Sequence, residues 1–61
     1  MNHALARLRK RAKLTQQELA TKSGLSRSYI AALESGHRKA ASVDALKRLS
    51  KALRCEITEL I

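Results

Sequence analysis

Sixty-one residues leave room for one domain, 1–61, and a chain of this size buries only about 60% of its unfolded surface, close to the lower limit for folding without disulfides or metal. Cys55 is the only cysteine, so no disulfide closes within the chain; Phe and Trp are absent and Tyr29 is the only aromatic, so the core is expected to be Leu, Ile and Ala in helices. Thirteen Lys and Arg against five Asp and Glu give a net charge of +8, which attracts polyanions, while no apolar run is long enough to span a bilayer or form a signal-peptide core.

The opening "MNHALARLRKRAK" is Arg-rich, acid-free and amphipathic, as a transit peptide is. It leads without a linker into a capped helix, however, and is read as part of the domain. Leu5, Leu8 and Ala12 recur at the i, i+3, i+7 spacing of a helix with one apolar face. "LTQQEL" then places Thr15 at an N-cap with Glu18 three residues later, a capping box, and Leu14 and Leu19 form the matching hydrophobic staple. Gly24 ends this second helix where glycine adopts the left-handed conformation cheaply. After a tight turn Ser26 caps a third helix, with a second staple from Leu25 to Ile30, and Ser35-Gly36 stops it. A basic loop, "HRKAA", leads to Ser42, which caps a fourth helix carrying Leu46, Leu49 and Leu53. Asp44 and Lys51 complement its dipole at either end. A short fifth helix from Ile57 to Ile61 closes the chain. The expected fold is all-α, a compact bundle of about five short helices.

The third helix, 26–35, has an unusual outer face. With Ile30 at 0°, the 3.6-residue period sets Leu33 at about −60°, so the buried centre lies between them. Opposite fall Ser28, Ala31, Ala32 and Ser35, with Arg27 to one side. Small side chains let a backbone approach a surface closely, and a major groove about 12 Å wide admits such a helix. Arg27 and Ser28 lie in the first turn, the part of such a helix that reaches base edges. Arg can donate two hydrogen bonds to guanine, and the methyls of Ala31 and Ala32 can pack on thymine. The first turns of the second and third helices offer free N–H groups to phosphate, where Gln16 and Ser26 sit. His37, Arg38 and Lys39 add positive charge in the following loop. Tyr29 flanks the buried stripe as a core edge whose hydroxyl is within reach of a phosphate. Glu34 would repel phosphate if left free on this helix, and Arg9 is its expected partner.

Other residues have plainer readings. The basic run Arg7 to Lys13 is mostly a solvated face. His3 is near a chain end and has no expected role, and Cys55 is expected to be a small buried apolar group. Two distant histidines and one cysteine lack ligand spacing, so no metal is expected. No cofactor, small-molecule ligand or catalytic arrangement is expected either.

"LTQQELATKSGLSRSYIAALESG" resembles the helix-turn-helix of the phage-repressor superfamily, the Cro and CI-like or xenobiotic-response-element-type regulators. Gln16, Leu19-Ala20, Gly24, Ile30, Leu33-Glu34 and Gly36 carry the resemblance, which runs from about Leu5 to Ile61. It implies about five helices, the second and third forming the DNA-reading pair. It also implies that Gln16 contacts a phosphate, that Arg27, Ser28 and Ala32 face bases, and that Arg9 and Glu34 form an inter-helix salt bridge. Members of this superfamily usually bind palindromic operators as dimers and regulate transcription, often repressing it. Lys13, Ala41 and Arg54 stand where the family commonly has Gly, Pro and Gly; left-handed conformations at Lys13 and Arg54 would each cost on the order of 1 kcal/mol.

The expectation is therefore a sequence-specific regulator of double-stranded DNA, a dimer that places helix 26–35 in the major groove. A bacterial or phage-encoded protein of this kind is cytoplasmic and nucleoid-associated. Ile57, Leu60 and Ile61 form an apolar end expected to be the dimer interface, the alternative being that they close the core. An antitoxin or restriction-modification controller would share the module. A protein-binding adaptor would use the fold without reading DNA.

Overall fold

A computed structural model describes residues 3–61. Four α-helices follow one another: α1 (Ala4–Arg11), α2 (Gln16–Ser23), α3 (Arg27–Ser35) and α4 (Val43–Leu53), then a 3-10 turn at Ile57–Glu59. The starts of three helices are fixed by hydroxyl caps. Thr15 Oγ1 accepts from Glu18 N–H at 3.0 Å while Glu18 Oε1 accepts from Thr15 N–H at 2.8 Å. Ser26 Oγ receives Tyr29 N–H at 3.0 Å and Ser42 Oγ receives Ala45 N–H at 3.1 Å. Each cap satisfies a donor that the helix leaves open at that end.

The end of α1 corrects the expected apolar face. The helix stops at Arg11, and Ala12 is exposed rather than packed. Lys13 turns left-handed (φ 60°), its N–H reaching Lys10 O at 2.9 Å and that of Leu14 reaching Arg9 O at 3.2 Å. These paired backward bonds form a Schellman closure, in which Lys13 occupies the place usually given to glycine. Arg54 (φ 53°) closes α4 in the same way, with Cys55 N–H on Ser50 O at 3.0 Å. Gly24 (φ 72°) makes the turn between α2 and α3 without that strain.

The core is one cluster of Leu5, Leu8, Leu19, Ala20, Ile30, Leu33, Leu49, Leu53 and Leu60. Leu14, Leu25, Tyr29, Leu46 and Cys55 pack half-buried against it. Within this arrangement α2 is central: α3 and α4 each pack on it, while α1 leans on α3. Burying side chains such as Leu5, Leu19, Ile30, Leu33 and Leu49 contributes about 1.5–3 kcal/mol apiece.

The expected fifth helix, 57–61, is a single 3-10 turn. Leu60 N–H bonds to Ile57 O at 2.9 Å and Glu59 N–H to Glu56 O at 3.0 Å, the i→i+3 pattern of a segment too short for an α-helical repeat. This turn swings Leu60 into the core, where it is fully buried. Leu60 is thereby removed from the expected dimer interface, because no atom of it is available to a second chain. Ile57 stays half-buried, and Ile61 is 73% exposed. No described helix is long and apolar enough to cross a membrane.

Candidate nucleic-acid interface

Burial of Ile30 and Leu33 fixes how α3 is turned. Its outer side carries Arg27, Ser28 and Ser35 exposed and Ala31 and Ala32 half-buried, so nothing bulkier than serine stands between the first turn and the last. The side chains of Arg27 and Ser28 have no intramolecular hydrogen-bond partner among the described residues. Their donors are open to an outside acceptor.

The carboxylate on this helix is held to the side. Arg9 Nε lies 2.6 Å from Glu34 Oε2 and Arg9 Nη2 3.0 Å from Oε1, a bidentate pair whose side chains are 12% and 9% exposed. Arg9 Nη1 donates to Leu14 O at 2.7 Å, and Gln16 Nε2 donates to Glu34 Oε1 at 3.1 Å. The carboxylate at the end of α3 is thus bonded from α1 and from the start of α2, and Arg9 ties the turn after α1 into the same network. Burial by itself would push Glu34 upward, but the hydrogen bonds from Arg9 and Gln16, with the charges of Arg9 and Lys10, hold it below the ordinary carboxylate value. The negative charge on this helix is thereby neutralised within the fold. Gln16 is thus engaged with Glu34 and retains one amide N–H for an outside acceptor.

Tyr29 is half-buried, and its hydroxyl accepts from Ser42 N–H at 3.2 Å. The Arg38 guanidinium lies 4.8 Å from the centre of the Tyr29 ring, a cation–π contact. Burial raises the phenol, while the bonds from Ser42 and the bond and charge of Arg38 bring it below its usual value. Ser26 is exposed at the start of α3. His37, Arg38 and Lys39 are exposed on the loop between α3 and α4. That loop is wound back on α3, with Arg38 N–H on Ala32 O at 3.0 Å and His37 N–H on Ser35 Oγ at 3.3 Å.

Two features go beyond the sequence reading. The Tyr29–Ser42 bond spans a loop and has no periodic signal. A second basic surface flanks an open groove of about 600 Å³ between α2 and α4, lined by Lys22, Lys47, Arg48 and Lys51 with Asp44. Asp44 and Arg48 pair there at 2.8 Å. The i, i+4 spacings 44/48 and 47/51 were the available signal for this face.

A family described as Helix-turn-helix matches residues 5–60. The HTH-type transcriptional regulator SlrR of Bacillus subtilis is 42% identical over 52 residues, which is 85% of this chain and 34% of that protein. The chain thus spans about a third of SlrR's length. The uncharacterized HTH-type transcriptional regulator y4dJ of Sinorhizobium fredii is 41% identical over 56 residues, 92% of this chain and 71% of that protein. Among solved structures, the restriction-modification controller protein C.AhdI from Aeromonas hydrophila matches with a TM-score of 0.89 and 39% identity, over 97% of this chain and 88% of that one.

Proposed function

The chain belongs to the helix-turn-helix family, and on that premise we propose that it is a sequence-specific DNA-binding regulator of transcription. The observation that carries this reading is the thin outer face of α3, led by an unpartnered Arg27, with Glu34 neutralised by Arg9. In the proposed complex α3 lies in the major groove. Arg27 and Ser28 donate to base edges, and Ala31 and Ala32 pack against them. Gln16, Ser26, Tyr29, His37, Arg38 and Lys39 lie along the flanking phosphates and fix the register. Two copies bind a palindromic operator, joined through Ile57 and the exposed Ile61. Occupying the operator in the cytoplasm, at the nucleoid, represses the gene beside it.

A second reading is favoured by the likeness to a restriction-modification controller over nearly the whole chain. It keeps the same DNA contacts and changes only which genes are controlled. An adaptor role without DNA reading would leave the bare face of α3 without a purpose.

Selection from random duplex DNA tests the proposal. A palindromic winner bound about 10³-fold or more above scrambled DNA is the expected result. Equal binding to every duplex, abolished by added salt, would mean that only backbone charge is being neutralised and would overturn it.

A further inference from the structure

The reading helix and α4 each pack mainly on α2, and the chain between them is the basic loop from Gly36 to Ala41, exposed from His37 to Ala40. The start of that loop is wound onto the end of α3 by its own backbone. Its far end is caught by Tyr29, whose hydroxyl receives the N–H of Ser42. Ser42 is also the N-cap of α4, its Oγ accepting from Ala45 N–H. The ring of the same tyrosine carries the Arg38 guanidinium, and its own N–H is fixed by Ser26 Oγ. The side chain of one residue in the first turn of α3 therefore holds a cation of the loop and the N-cap of α4, while its backbone N–H is held by the cap of its own helix.

We propose that Tyr29 is a positioning residue, which locks Arg38 and the start of α4 at a fixed stance relative to Arg27 and Ser28, so that phosphate and base contacts engage as one rigid unit. The inference rests on the DNA-reading role proposed above. An untied loop would have to be ordered at the moment of binding, and that ordering lowers affinity. Phosphate contacts set register in a specific complex, so the tie matters most for the correct sequence.

The test compares wild type, Tyr29→Phe, Arg38→Gln and the double variant on the selected duplex and a scrambled one, across a range of salt. Tyr29→Phe keeps the ring under Arg38 and removes the hydroxyl that accepts from Ser42 and from Arg38. Its affinity for the selected duplex is expected to fall about three- to tenfold, the net effect of losing the hydroxyl's hydrogen bonds. The slope of log affinity against log salt should become shallower by about one, because a phosphate is no longer neutralised. The double variant should lose no more slope than Arg38→Gln alone. An unchanged affinity overturns the proposal. So does a loss of affinity with unchanged slope, since a neutral hydroxyl bonded directly to phosphate releases no counterion. So do additive slope losses.

Amide exchange provides a check on the wild-type protein that does not depend on how well any variant folds. Ser42 N–H should be protected beyond Ala40 and Ala41, and an unprotected Ser42 overturns the clasp outright. If wild type itself prefers no duplex, the DNA-reading role fails, while the protection of Ser42 still reports separately on the tie.

Discussion

Lys13 and Arg54 hold left-handed backbone conformations, φ 60° and 53°, that bring an L-residue's Cβ against the backbone and leave glycine unstrained. Lys13→Gly and Arg54→Gly are each expected to stabilise the fold by about 1 kcal/mol. The measurement is a rise in urea midpoint at constant m-value. Gly24→Ala runs the other way. Its Cβ would meet the tip of Arg48 at 2.9 Å, which a flexible side chain can relieve, so φ 72° sets the loss at about 1 kcal/mol. On the reading face, Arg27→Ala should weaken binding to the preferred duplex by about 1–3 kcal/mol and relax its sequence preference at one base pair. Parallel titrations of preferred and single-substituted duplexes read this out.

Between elements, the Arg9–Glu34–Gln16 network sets how α3 sits on α1 and α2. Arg9→Ala strands a nearly buried carboxylate and should destabilise the fold by about 3 kcal/mol, seen in denaturant melts. Glu34 is held below its ordinary value of 4.5, so the unfolded chain takes up this proton at higher pH than the folded one does. The stability it adds is complete above the ordinary carboxylate range and is lost as pH falls through the depressed folded value, below about 4.5. Glu34→Gln should flatten that acid limb of the stability curve. Much of this scale was legible beforehand, because helix starts are written locally in Thr15–Glu18, Ser26 and Ser42, and the apolar stripe orients α3. The left-handed turn at Lys13 was legible only through the resemblance, since no local glycine announces it, and the exposure of Ala12 beyond the end of α1 was not. The tie from Tyr29 to Ser42 and the bond from Gln16 to Glu34 join residues 13 and 18 positions apart, and only the packed structure brings them together.

Across the whole molecule the balance is thin. At about 0.05–0.15 kcal/mol per residue, a chain of 61 residues is stable by roughly 3–9 kcal/mol. Leu60→Ala, in the core, should remove about 2–4 kcal/mol of that, while Ile61→Ala, at the surface, should leave the melting curve of the monomer nearly unchanged. Ile61→Asp should keep the fold, lower the sedimentation-measured dimer fraction and weaken operator binding, if Ile61 sits in the dimer contact. Leu60 has a further consequence that concerns synthesis. The core that receives it also contains Leu5, so the cluster draws on both ends of the described chain. At about 5–20 residues per second, a ribosome makes this span in roughly 3–12 seconds, and domains fold as units. Until residue 60 has cleared the exit tunnel, the nascent helices lack the side chain that closes their core, so the protein gains its native packing in one late step.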